Sequence, residues 1–148
     1  MTRSSPSDVE LGDTSVWARK SNPQLRGWFP SVLARGELAI CDMVALELLH
    51  TASTPGIYRQ LADSLQALPW LPMGFRDFQR ALEVQALLAE RGNQLHRSVK
   101  NADLFIAAVA ERTGVTLVHY DKDYDTIQAV TGQPMRWVGP RGSLESRA

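Results

Sequence analysis

A chain of 148 residues that is 44% hydrophobic and 22% charged is long enough to bury one well-packed core and too short for two comfortable ones, so a single domain is expected. Its Lys and Arg, 16 together, balance 16 Asp and Glu, so no bulk charge announces a nucleic-acid or membrane partner and any such role must come from local clusters. The lone cysteine, Cys41, excludes an intramolecular disulfide and a thiolate zinc cluster, reads as buried and inert, and fits a reducing cytoplasm.

Residues 1–8 are polar and carry no apolar signal region, so they read as a flexible arm. No run approaches the ~18 apolar residues of a membrane span, so no membrane role is expected. Residues 9–138 read as one continuous domain without internal repeats, and residues 139–148 as a flexible tail. Val9 to Leu11 is a strand candidate, and Gly12-Asp13-Thr14-Ser15 follows as a turn presenting three polar side chains together. Asp13 has two readings there: a carboxylate just past a strand end, or the N-cap of a helix entered through Ser15, Val16 and Trp17.

Pro23 precedes a helix predicted over residues 24–34 and closed by Gly36, and Leu38 to Cys41 forms a second strand with Asp42 as the natural N-cap of the next helix. That helix, residues 43–52, is apolar except for Glu47, His50 and Thr51, which share one face. By itself the face reads as a solvent stripe. The helix also starts at the sheet edge where Asp13 falls, a placement from which Glu47 reaches the same point. Pro55 and Gly56 open another helix to about Leu68, and Pro69-Trp70-Leu71-Pro72 is held extended by its prolines. Phe75, Phe78, Leu82, Ala86 and Ala89 recur at helical spacing up to Gly92 and are expected in the core. Residues 93–98 read as a polar loop, and His96 within it has no second His or Cys at ligand spacing.

The stretch from Lys100 to Tyr124 carries the clearest signal. Ala102 and the run Leu104 to Ala110 leave almost no polar face on the predicted helix, yet Asp103 sits in its first turn above the small apolar Ala107 and Ala110. Gly114 ends the helix, and Val115 to His119 form a strand that delivers Asp121 and Asp123 at its C-terminal end. A short helix over residues 126–130 and an edge strand over 135–138 complete the chain.

Strands alternating with helices imply a parallel sheet with helices around it, in which helix N-termini and strand C-termini meet at one edge. Asp13, Glu47, Asp103, Asp121 and Asp123 all map to that edge. Carboxylates ~4 Å apart repel by around 4 kcal/mol per pair at an effective dielectric of 20, so the group calls for cations or protons. Oxygen ligands without His or Cys select Mg2+, with Mn2+ as a substitute. Such an ion suits hydrolysis of a nucleic-acid phosphodiester. Arg19, Lys20, Arg26, Arg97 and Lys100 lie near the mouth in sequence and would meet a polyanion, although a solvated face explains each one equally well.

The run Asp13-Thr14-Ser15-Val16-Trp17 after a strand, Glu47 inside the second apolar helix, Asp103 in Asp-Leu-Phe-Ile-Ala-Ala, and His119-Tyr-Asp-Lys-Asp-Tyr124 together resemble the PIN-domain ribonucleases, and among them the VapC toxins of type II toxin–antitoxin pairs. The resemblance spans residues 9–138. It implies an α/β fold of three layers, with a central mostly parallel sheet flanked by helices. It further implies an Mg2+-dependent endoribonuclease that cuts structured RNA such as tRNA or rRNA, dimerises, and is silenced by a VapB antitoxin. By the family pattern Asp13, Glu47, Asp103 and Asp121 hold the metal, Asp123 supports or shares the last position, and Thr14 or Ser15 orients an acidic neighbour. Gly12 departs from the pattern, standing where an apolar strand residue is common. Tyr124 departs as well, replacing a more usual Phe while keeping the ring, a change expected to matter little. A phosphatase of the haloacid-dehalogenase kind would need the Asp121-Lys-Asp motif after the first strand. A receiver-like signalling domain would need a lysine better placed than Lys122.

Overall fold

A computed structural model describes residues 8–145, so the expected N-terminal arm lies outside the described residues except for Asp8. Strands β1 (Glu10–Gly12), β2 (Leu38–Cys41), β3 (Trp70–Leu71), β4 (Thr116–His119) and β5 (Met135–Trp137) form one sheet in the order β3-β2-β1-β4-β5. Every pairing is parallel. β2 shows why: Leu38, Ala39, Ile40 and Cys41 are each at most 1% exposed, the unbroken apolar run of a strand covered on both faces.

The helices are α1 (Thr14–Trp17), α2 (Trp28–Ala34), α3 (Asp42–His50), α4 (Pro55–Gln66), α5 (Phe75–Arg91), α6 (Leu95–Ser98), α7 (Asn101–Thr113) and α8 (Asp123–Thr131). Parallel strands require crossovers, and the helices supply them. α5, α7 and α8 pack on one another. Among the described residues no helix is long and apolar enough to cross a membrane.

The chain leaves β1 toward β2 on one side and later returns to β4 on the other. That reversal opens a crevice at the C-terminal ends of β1 and β4, the place where open α/β sheets bind ligands. Gly12 ends β1 there for a packing reason, since a Cβ would come within 3.0 Å of both Leu38 Cδ1 and Trp17 Nε1. The missing side chain also lets Trp17 Nε1 donate to Gly12 O at 3.1 Å.

Several expectations need correction. Phe75, Phe78, Leu82, Ala86 and Ala89 are all exposed rather than core; the buried face of α5 is Asp77, Ala81, Val84 and Leu88. Asp42 does not cap α3, because its carboxylate accepts instead from Trp70 Nε1 at 2.9 Å and from Met73 N at 2.6 Å, with Cys41 in the capping position. The helix expected over 24–34 is interrupted at Gly27, with a 3₁₀ turn at Pro23–Leu25 ahead of α2. The loop expected over 93–98 contains α6, and α8 begins at Asp123 rather than Thr126.

Residues 139–145 form no loose tail. Leu144 is buried, its N–H donates to Tyr120 Oη at 3.1 Å, and its carbonyl accepts from Asn22 Nδ2 at 2.9 Å. One leucine in a polar segment is too sparse to register as periodicity, yet it fills a site beside Tyr120.

The buried Asp77 accepts from Gly74 N at 2.8 Å and takes a bidentate pair from Arg112, Nε to Oδ1 at 2.8 Å and Nη2 to Oδ2 at 3.0 Å. This pair fastens the start of α5 to the end of α7. Removing one partner leaves a buried charge uncompensated, so Arg112→Met is expected to destabilise the protein by roughly 3 kcal/mol in urea unfolding. Adding Asp77→Asn to that variant should recover part of the loss.

Candidate functional site

Asp13 follows β1 directly, its N–H donating to Val118 O on β4 at 2.9 Å. Both readings of Asp13 hold at once. As N-cap of α1, its Oδ2 accepts from Ser15 N at 3.0 Å and from Ser15 Oγ at 2.5 Å, while its Oδ1 accepts from Tyr124 Oη at 2.6 Å on the far side of the crevice. Ser15 Oγ in turn accepts from Tyr120 N at 2.9 Å, so one hydroxyl ties the ends of β1 and β4 together.

Asp103 lies in the first turn of α7, buried as the alanine-rich pattern implies. Its Oδ1 is 3.2 Å from Tyr124 Oη, and its Oδ2 is buried without a hydrogen-bond partner. Asp121 leaves β4 and accepts Asp123 N at its own Oδ1, 2.9 Å away, a turn that brings the second carboxylate back beside the first. Asp103, Asp121 and Asp123 each present an oxygen, and these oxygens lie within 4.8 Å of one another. Asp13 stands next to this trio through Tyr124. Glu47 stands outside it, half-buried on α3, accepting from Thr14 Oγ1 at 2.7 Å. Thr14 and Ser15 thus each hold one carboxylate, Glu47 and Asp13 respectively.

The charges crowd visibly. Burial, then Asp13 and Asp121, push the Asp103 carboxyl up to about 7. Burial and Asp121 also raise Asp123, while Lys100 at the start of α7 works against both shifts. Burial lowers His119, and the neutral ring accepts Asp121 N at Nδ1, 3.2 Å away. Tyr124, fully buried, is raised well above its ordinary value by burial and by Asp13.

A buried carboxylate oxygen with no donor is costly unless a cation or proton meets it. The trio offers only hard oxygen atoms, and Asp103 Oδ2 is the orphan among them, so the residues fit a hard divalent cation such as Mg2+ or Mn2+. Of the basic residues, Arg19 lies at the rim, donating to Ser15 O at 2.8 Å with its guanidinium 4.5 Å from the Tyr120 ring centroid. Lys100 is exposed beside the trio, Arg97 is exposed on α6 and donates to Gln94 Oε1, and Lys20 and Arg26 are exposed on the segment after α1.

Sequence reasoning did not foresee Tyr124, Tyr120 or His119. The expectation that Tyr124 in place of Phe matters little left its hydroxyl out of account, and that hydroxyl lies between two carboxylates. A buried tyrosine has to find a partner for its O–H, but the acidic and polar neighbours Asp123, Asp125 and Thr126 hide from the sequence that Tyr124 is buried.

Comparison with known proteins agrees with this geometry. A PIN-domain family model matches residues 11–130. The chain is 44% identical to Ribonuclease VapC18 of Mycobacterium tuberculosis over 132 residues, 89% of this chain and 96% of that protein. It is 36% identical to Ribonuclease VapC51 of the same species over 135 residues, 91% of this chain and 96% of that one. Among solved structures, the DNA-bound VapBC of Salmonella typhimurium aligns with a TM-score of 0.66 at 18% identity, over 87% of this chain and 98% of that one. VapBC2 of Rickettsia felis, bound to a promoter DNA fragment, aligns with a TM-score of 0.68 at 16% identity, over 88% of this chain and 99% of that one. With the fold, the acidic crevice and these relatives together, the chain belongs to the PIN-domain family and, within it, to the VapC ribonucleases.

Proposed function

We propose that this protein is the toxin of a VapBC-type pair, an endoribonuclease that hydrolyses phosphodiester bonds in structured RNA such as tRNA or rRNA with Mg2+, or Mn2+ in its place. Translation and growth would stop until a VapB-type antitoxin neutralises it. The observation that carries this reading is the orphaned, buried Oδ2 of Asp103 inside a set of oxygen-only donors at the sheet's switch point. A bound divalent cation would polarise the phosphodiester and lower the pKa of the attacking water. Asp103, Asp121, Asp123 and Asp13 would hold it, with Glu47 as the remaining acidic residue of the centre. Arg19 and Lys100 at the rim, with Lys20 and Arg97 farther out, would meet the RNA backbone and neutralise phosphate charge.

The names of the solved relatives as VapBC assemblies support an antitoxin partner. An exposed apolar face supports a homodimer: Phe75 is 75% and Leu82 67% exposed, and Phe78 and Leu82 flank a hollow of about 370 Å³ floored by Leu104 and Phe105. An apolar patch of this kind on α5 marks a protein contact. The cytoplasm, where its RNA substrates are, is the proposed location.

Purified protein is expected to cleave RNA with Mg2+ or Mn2+ and to stop on addition of EDTA. Asp103→Asn should reduce cleavage by more than about 100-fold, the upper end of the loss seen for merely supporting groups around a metal. Undiminished cleavage by that variant would remove the proposed mechanism.

The crowding also sets a pH dependence. The Asp103 carboxyl is raised from 3.8 to about 7, so between those values the folded, metal-free state binds the proton more tightly than the unfolded chain does. Stability of the metal-free protein is therefore fullest below about pH 4 as far as this group is concerned, and falls as pH rises through 7. The fall amounts to roughly 4 kcal/mol at most, at 1.36 kcal/mol per pKa unit. Thermal melts in EDTA across this range should show the decline in the wild type and a shallower one in Asp103→Asn, and saturating Mn2+ should suppress it.

Leu82→Asp is expected to convert a dimer into a monomer in light scattering while leaving the melting temperature of the protomer little changed, because Leu82 lies in solvent.

A further inference from the structure

The carboxylates of the crevice are not provided for equally. Each carboxylate oxygen has two lone pairs. Asp13 Oδ2 has both engaged, by Ser15 N and Ser15 Oγ, and Asp13 Oδ1 has one engaged by Tyr124 Oη. Asp103 receives less: Oδ2 has no donor, the side chain meets the carboxyl of Asp123, and Oδ1 lies 3.2 Å from a hydroxyl whose contact with Asp13 is the shorter at 2.6 Å. The ring that carries the hydroxyl is fixed by its packing. Tyr124 is fully buried in the first turn of α8, its ring 4.9 Å from the His119 ring, which in turn lies 5.1 Å from Trp137.

We propose that Tyr124 is a positioning residue of the cation site, whose hydroxyl fixes Asp13 so that one lone pair remains open, on the oxygen that shares Tyr124 with Asp103. Protein donors are thereby directed to Asp13, and Asp103 is left for the cation. This rests on the divalent-cation site proposed above. A group that orients a ligand carboxylate without touching the metal typically governs affinity by about 10- to 100-fold.

Tyr124→Phe keeps the ring and its packing and removes only the oxygen. Titration calorimetry of the metal-free protein with Mn2+ is expected to show Kd raised by about tenfold or more over wild type. Ile127→Val, which trims the buried face of the same helix without touching either carboxylate, should bind Mn2+ as wild type does. Unchanged or tighter Mn2+ binding by Tyr124→Phe overturns the proposal, and so does an equal loss in Ile127→Val, which would make the effect one of packing. Should Tyr124→Phe fail to fold, Ser15→Ala, which removes the other hydroxyl donor to Asp13, must weaken Mn2+ binding in the same sense or the role of Asp13's donors falls. A wild-type protein that binds no Mn2+ removes the cation site itself, a result distinct from a wild type that binds and a Tyr124→Phe that binds equally well.

Discussion

Mutual repulsion among buried carboxylates is the constraint around which this domain is arranged. Asp13 and Asp103 are 4% and 5% exposed, and Asp121 and Asp123 crowd against Asp103. Water cannot screen charges so placed, and Coulomb repulsion grows as the local dielectric falls. The backbone answers part of the demand. Asp13 caps α1, Asp103 lies in the first turn of α7, and Asp123 opens α8, so three helix N-termini converge on the crevice. Each contributes partial positive charge of about +0.5 when the helix is long enough, which favours an anion at its start. The sheet's order makes this convergence possible, because β1 and β4 are neighbours although more than a hundred residues separate their ends.

Neutral side chains answer another part. Ser15 donates to Asp13 and accepts from Tyr120; Thr14 donates to Glu47; Tyr124 donates to Asp13; His119 accepts the N–H of Asp121. The network extends outward as Tyr120 Oη takes the N–H of Leu144 and donates to Glu145 Oε2 at 2.7 Å. The C-terminal segment therefore braces the residue that stands between β4 and Asp121. What these groups leave over falls on Asp103, whose carboxyl rises to about 7 through burial and the charges of Asp13 and Asp121, and whose Oδ2 has no donor. The residual demand is for a cation or a proton.

Much of this was legible because the signals were local. β2 was readable to the residue as Leu38 to Cys41, since four apolar residues between turn formers admit little else. Asp103 stood out as a carboxylate in a helix turn otherwise made of alanine and large aliphatic residues. The failures share a cause, which is distance along the chain. Asp77 is buried only because Arg112 reaches it from α7, so the α5 pattern placed Phe75, Phe78 and Leu82 inward when the salt-bridged face is the buried one. Asp42 was a fitting cap until Trp70 and Met73 claimed its oxygens. Periodicity shows that a helix has an apolar face and says nothing of whether the chain itself covers it.

Asp121 and Asp123, which the sequence poses as alternatives, are brought together by local geometry. Two residues apart on an extended strand, their side chains would share one face but stand roughly 7 Å apart along it. The strand ends at His119, however, and α8 begins at Asp123. Between them the chain turns on the hydrogen bond from Asp123 N to Asp121 Oδ1, which folds the second carboxylate back beside the first and lets both approach Asp103. The same turn begins the helix that carries Tyr124 to the gap between Asp13 and Asp103. Asp121 thus acts on the site twice, through one oxygen that shapes the turn and through a charge that the turn brings close to two others.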